Sequence, residues 1–307
     1  METGAIMTIE RIEEICYGVE NMDACEKFAR DMGLDVVSIA PEKRVFCSAV
    51  NQLLTFHPLD FPDLPKGIED GPSLRRLTWG VSSSDDLDRL GRALGPAATR
   101  RDNELNIVDP NGLALSFRVA QKLKTDAVFR PTNQYEDVDR LNERLTSYGA
   151  PRPMRFVHVA LNITKENNDA ALAFYTGPLR FKATDKILDT GTFLQSDGDI
   201  EHHNFFLCFR PDKAGINHFA AEVYDLDAVI EAGNSMIEAG WKESRKLGRH
   251  LIGSNSFRFV HAPFGGRVEF VADMDRMDKS WVTKVWDKNP GHHIWMLKSS
   301  GSDPSPQ

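Results

Sequence analysis

One pattern runs through this chain twice, and only its second copy carries side chains able to hold a metal ion. Ile15 to Val19 aligns with Val157 to Leu161, and Arg76 to Val81 with His218 to Val223, both at an offset of 142. Asp109 to Phe117 then matches Ala262 to Phe270 at an offset of 153, because the second half is longer by 11 residues, inserted around Arg245 to Ser256. A hydrophobic pattern shared by two halves is the mark of duplicated structural units. Where the first copy has Cys16, Arg76 and Ser116, the second has His158, His218 and Glu269. The alignment therefore predicts one emptied half and one working half.

Composition narrows the class. A length of 307 residues suggests two domains, and 41% hydrophobic residues is ordinary for a soluble globular protein. The net charge of -8 comes from 45 acidic and 37 basic residues mixed along the chain without a basic block, which argues against a nucleic-acid partner. The four cysteines, Cys16, Cys25, Cys47 and Cys208, form no CxxC pair and are expected to be reduced. The N-terminal stretch is rich in Glu, Asp and Arg rather than apolar, and no apolar run approaches the roughly 18 residues of a membrane span. A cytoplasmic protein with no membrane partner is expected.

Each half reads as two units of strand, helix and further strands. Ala24 to Met32 has helical character and ends at Gly33, while Leu87, Leu90 and Leu94 fall on one face of a helix over Asp85 to Leu94. The second half repeats the scheme, with helices over Asn168 to Tyr175 and Leu226 to Ala239. These elements give an N-terminal non-catalytic domain over 8–120, a connecting segment over 121–153 and a C-terminal metal-binding domain over 154–296. Within the connection, Pro131, Pro151 and Pro153 bracket a charged stretch, Tyr135 to Tyr148, read as helical. The polar tail Leu297 to Gln307 is expected to be disordered.

Two histidines and a carboxylate on three strands can converge on one cation and leave adjacent coordination positions open. Non-haem Fe(II) enzymes that activate oxygen use that arrangement, although nitrogen ligands also suit zinc. The residues alone leave a plainer alternative open: two interior histidines with satisfied hydrogen bonds, and a solvent-facing glutamate. With nine histidines in the chain any pair carries little weight. The joint absence of all three ligands from the other half is what selects this trio.

At this point the second half resembles the catalytic domain of type I extradiol ring-cleavage dioxygenases, members of the vicinal oxygen chelate superfamily. The resemblance is carried by Val157 to Ala160, by Gly215 to Val223, and above all by Gly248 to Asn255 running into Pro263 to Phe270. It covers residues 8 to 296 and implies an α+β fold of two domains, each built from two βαβββ modules that form a curled, partly open mixed barrel. By the same resemblance His158, His218 and Glu269 bind Fe(II), less often Mn(II). The implied partners are a small aromatic diol and O2, with ring opening beside the diol in aromatic catabolism by a homo-oligomeric enzyme.

The resemblance also implies roles around the metal. An acid-base histidine belongs at His202-His203, where an imidazole could take a proton from a catechol hydroxyl, with His203 favoured. His250 resembles the histidine that hydrogen-bonds a substrate oxygen, and Asn255 and Phe259 fall at positioning sites. There the chain departs from the pattern, since Phe259 stands where these dioxygenases commonly have a tyrosine, and a phenyl ring donates no hydrogen bond. The stretch with Trp281, Trp286, His292, His293 and Trp295 resembles the family tail that folds over the active-site mouth, where indoles could wall an aromatic substrate. Two other readings stay open: a non-oxidative metal-dependent lyase, isomerase or thiol transferase of the same superfamily, and a non-catalytic module that sequesters an aromatic ligand.

Overall fold

Four times the chain runs through one strand, one helix and three further strands, and each run folds as the same unit. A computed structural model describes residues 8–125, 131–145, 152–211 and 213–298. The first unit is β1 (Ile9–Val19), α1 (Met22–Asp31), β2 (Asp35–Ala40), β3 (Lys43–Cys47) and β4 (Leu53–Pro58). The second is β5 (Ser73–Val81), α2 (Ser84–Leu94), β6 (Thr99–Arg101), β7 (Glu104–Val108) and β8 (Ala114–Val119). The third comprises β9 (Arg155–Ile163), α3 (Asn168–Thr176), β10 (Lys182–Ile187), β11 (Gly191–Gln195) and β12 (Phe205–Phe209). The fourth comprises β13 (Gly215–Glu222), α4 (Leu226–Glu238), β14 (Glu243–His250), β15 (Ser256–His261) and β16 (Arg267–Ala272), followed by β17 (Lys284–Trp286) and β18 (His293–Met296).

Local chemistry sets the helix ends. Asn21, Ser83 and Asp225 each accept a backbone N–H of the first turn of α1, α2 and α4, which satisfies a donor the helix cannot. Gly33 and Gly240 follow α1 and α4 at φ of 81° and 95°, the left-handed region that lets the chain turn away. No helix among the described residues is long and apolar enough to cross a membrane.

The strands form two sheets, ordered β2-β3-β4-β1-β5-β8-β7-β6 and β17-β10-β11-β12-β9-β13-β16-β15-β14-β18. In each, the first strands of the two units lie side by side and antiparallel. The second sheet curls: one cavity is lined by Ile187, Phe193 and Phe206 from β10 to β12 and by Arg245, Phe259 and Glu269 from β14 to β16. The halves share one apolar core, in which Phe264 packs against Tyr17 and Phe28 at ring distances of 4.7 and 5.3 Å. Gln52 ties them further, since its side-chain amide donates to the carbonyls of Ile12 and Phe156 and accepts from the Phe156 N–H.

Two expectations need correction. The row Glu14–Thr78–Ser116 across β1, β5 and β8 matches the row His158–Ala220–Glu269 across β9, β13 and β16. Glu14, not Cys16, thus holds the position of His158, while Arg76 and Ser116 keep their matches to His218 and Glu269. The constant offset failed because β-bulges shift the register of both seams, and two residues more separate Glu14 from Arg76 than His158 from His218. The connecting stretch is not helical over its described part, 135–145, where a Gln134–Asp137 bridge is the regular feature. Tyr135 and Leu141 are 93% and 78% exposed there, so a short helix would have no face to bury against the protein. Residues 146–148 of that stretch and 299–307 of the expected disordered tail lie outside the described residues.

Candidate metal centre

Three neighbouring strands bring His158, His218 and Glu269 together. Residues in one cross-strand row point to the same face of a sheet, and His158 on β9 shares its row with Glu269 on β16 through Ala220. His218 sits two residues before Ala220 on the same face. The His158 and His218 Nε2 atoms lie 3.1 Å apart, and Glu269 Oε2 lies 3.0 and 3.2 Å from them. His158 and Glu269 are fully buried.

A proton on one ring nitrogen can serve only one neighbour, so no protonation pattern satisfies all three contacts. A divalent cation at their centre does. Metal bonds of about 2.1 Å meeting at right angles would set adjacent ligand atoms about 3.0 Å apart, close to the edges of this triangle. His218 Nδ1 donates to Asn217 Oδ1 at 2.9 Å, which leaves its Nε2 lone pair aimed at the centre. Burial, partly offset by Glu269, pushes His218 down to about 3, so the ring is the neutral form a metal requires. Burial would raise Glu269, but the close imidazoles of His158, His218 and His250 outweigh it and hold the carboxylate well below its ordinary range.

The adjacent histidines separate into inner and outer positions. The His203 ring lies 4.4 Å from that of His158 and lines the cavity. His202 lies behind it, with Nε2 2.9 Å from Asp185 Oδ2 and Nδ1 3.0 Å from His203 Nδ1. Asp185 accepts from His202 Nε2, so His202 Nδ1 accepts from His203 Nδ1 and the His203 Nε2 lone pair is turned to the cavity. Burial, with His158 and His202 close by, places His203 well below the usual imidazole range. Trp286 Nε1 donates to the other Asp185 oxygen, tying the C-terminal strands to this chain of hydrogen bonds.

His250 Nε2 lies 3.1 Å from Glu269 Oε1, and its Nδ1 donates to the His292 carbonyl at 3.1 Å. Asn255 sits after a turn at Gly253, whose φ is 85°, and its amide reaches Glu269 Oε1 at 3.4 Å. Phe259 is buried, edge-on to His218 at 5.1 Å. The tail does cross the mouth, contributing Asn289, Gly291 and His292 to the lining. The expected indole wall is instead made by Phe193 and Phe206, stacked at 4.1 Å, together with Phe259, because the indoles of Trp281 and Trp286 turn back to donate to Thr184 and Asp185.

Sequence reasoning missed Asp185, Asn217, the two stacked phenylalanines, and Arg210, Arg245 and Arg267 in the lining. Arg245 and Arg267 were detectable in principle, since Arg245 pairs with Phe259 and Arg267 precedes Glu269 by two residues, on the cavity face. Asp185 had no such signal, because its partner His202 is 17 residues away.

Residues 155–270 match the Glyoxalase/Bleomycin resistance protein/Dioxygenase superfamily. Metapyrocatechase 2 of Cupriavidus necator is 32% identical over 123 residues, 40% of this chain and 38% of that protein. Biphenyl-2,3-diol 1,2-dioxygenase of Paraburkholderia xenovorans (strain LB400) is 32% identical over 124 residues, 38% of this chain and 41% of that protein. The matched part spans about two fifths of the length of these relatives. Among solved structures, the Mn(II)-bound glyoxalase from Novosphingobium aromaticivorans has a TM-score of 0.74 at 20% identity, covering 98% of this chain and 96% of that one. BphC, a halotolerant catechol dioxygenase, has a TM-score of 0.74 at 16% identity, covering 95% of each. These likenesses extend the fold to both halves.

Proposed function

We propose that the protein is an extradiol dioxygenase that opens the ring of an aromatic diol beside its two hydroxyls, in the catabolism of aromatic compounds. His158, His218 and Glu269 would hold Fe(II), with Mn(II) able to take the same place. The observation that carries this reading is the open-sided His–His–Glu triangle facing a cavity whose other wall presents His203. Two relatives named as aromatic-diol enzymes, 32% identical over the matched part, support it. Catalysis belongs in this reading to the C-terminal domain, 154–296, and the N-terminal domain, 8–120, is non-catalytic, since Glu14, Arg76 and Ser116 offer no comparable donor set.

When bound, the metal supplies a template for diol and O2 and a path for electrons between them. The protein supplies everything else. Phe193, Phe206 and Phe259 hold the ring and keep water from it. His203, neutral at working pH, takes a proton from one ring hydroxyl and later returns one to the oxygen that becomes part of the product. Asp185 and His202 fix the ring orientation that makes this possible. His250 hydrogen-bonds a substrate oxygen through Nε2, and Asn255 holds Glu269 in place. One ring C–C bond breaks beside the diol, both atoms of O2 enter a muconic semialdehyde-type product, and no outside reductant is consumed.

Anaerobic loading with Fe(II), then exposure to O2 with a panel of catechols, tests the reading through oxygen uptake and a yellow product. His203→Phe should keep its iron and lose about 10²- to 10⁴-fold in turnover. Unchanged turnover in that variant removes His203 from its role. The likeness to a Mn(II)-bound glyoxalase favours a second reading, a non-oxidative lyase, isomerase or thiol transferase on the same cage. Absence of oxygen uptake with every catechol would select it.

A further inference from the structure

On the same wall as Glu269 the cavity presents the guanidinium groups of Arg245 and Arg267, and Arg210 joins them in the lining. Register aims two of them inward. Arg245 on β14 pairs with Phe259 on β15, which pairs with Glu269 on β16, so all three share a row, and Arg267 pairs with His218 on β13. The Arg245 and Arg267 guanidiniums lie 5.3 and 4.8 Å from the centre of the Phe259 ring.

Among the described residues none of the three has a carboxylate partner. Arg267 donates to Asn217 Oδ1, Arg210 to the Phe209 carbonyl, and Arg245 approaches only His293 Nε2 at 3.5 Å. In the same half, Arg155 pairs with Glu201 and Glu222, and Arg258 with Glu243. Three half-buried cations facing one space repel one another, and they do so in a chain whose net charge is -8. One anion between them relieves that repulsion and forms charge-assisted hydrogen bonds.

The cavity volume, about 120 Å³, is close to the roughly 150 Å³ of an engineered cavity that accepts benzene. Phe259 serves here as a shelf under two guanidiniums, a use for which a phenyl ring suffices.

We infer that the cavity recognises an aromatic diol bearing an anionic substituent, a carboxylate on a short arm held by Arg245 and Arg267 with Arg210 beside them. The inference rests on the proposed reading for the diol end of the ligand; the acid end stands on the arginines alone.

The test compares 3,4-dihydroxybenzoate and 3,4-dihydroxyphenylacetate with 4-methylcatechol. Dissociation constants are measured calorimetrically without oxygen on the metal-loaded protein, and kcat/KM is measured with oxygen. One of the acids should bind about 10- to 100-fold more tightly than 4-methylcatechol, and rising salt should shrink that advantage. Arg245→Gln and Arg267→Gln should each cut the acid's advantage, and Arg267→Lys should restore part of it. The salt series needs no variant and so stands whatever the substitutions do to folding. Equal or tighter binding of 4-methylcatechol overturns the inference while leaving ring cleavage intact. Arginine-dependent binding of an acid without ring opening supports the subsite and defeats the proposed reaction.

Discussion

The two halves use one framework for opposite ends. In the second, the row from β9 to β16 carries His158 and Glu269, and the contacts among them and His218 are satisfied together only by a cation. In the first, the equivalent row carries Glu14 and Ser116, and the protein supplies its own partners. Glu14 accepts from Thr55 Oγ1 at 2.7 Å and from Arg118 Nη1 at 3.3 Å, and Ser116 donates to Asn106 at 2.6 Å. A βαβββ pair thus builds the same concave face whether or not it carries the His–His–Glu set. What separates the two rows is whether the buried carboxylate finds its partners within the protein, as Glu14 does, or shares contacts that need something from outside, as Glu269 does.

The sharpest way to break this comparison is to make matched changes in the two halves. His158→Ala or Glu269→Ala should lower metal affinity by more than about 100-fold, beyond the effect usual for outer-shell changes, while Glu14→Ala leaves the metal content of purified protein unchanged. Metal analysis decides it, and metal loss from the Glu14 variant would mean that the first half takes part. Next in size, Asn217→Ala removes the acceptor for His218 Nδ1 and should weaken metal affinity about 10- to 100-fold, read by competition with a chelator.

Glu14→Gln should cost about 1–3 kcal/mol in denaturant unfolding, because a buried acceptor and part of the Arg118 pairing are lost, yet leave metal binding intact. The smallest effect is expected at Asp109, which the second half replaces with Ala262. Burial raises its pKa against hydrogen bonds from Leu113, Tyr175 and Asn111. The folded state then binds more protons than the unfolded one between 3.8 and the raised value, so stability climbs as pH falls through that window. Asp109→Asn should flatten that climb in acid-range thermal melts, and an unaltered slope would show that Asp109 does not contribute to it.

Legibility in the sequence tracked the range of the interactions involved. Helices α1, α2, α3 and α4 were readable because periodicity, caps and Gly33 act within one or two turns. His158, His218 and Glu269 were readable because duplication supplied an internal control. The Cys16 match failed because bulges move residues along a strand without leaving a mark on the string. The helix read over Tyr135 to Tyr148 failed over its described part, 135–145, for another reason: charge suggested it, but the folded protein offers that part no surface to hold it. Arg210 is brought to the cavity, and Asp185 to the back of His202, by curling of the sheet, a property of strands that lie far apart in the chain.

What the sequence by itself determined was which residues face the interior, because strand side chains alternate with a period of two, and which half carries side chains able to hold a metal, because the two copies can be compared. The tertiary structure alone decided that His203 faces the cavity while His202 backs it, that Phe193 and Phe206 rather than the indoles form the wall, and that three arginines line it without a carboxylate salt bridge. Those outcomes depend on how tightly the second sheet closes on itself, and that closure is set by packing among residues from every strand at once.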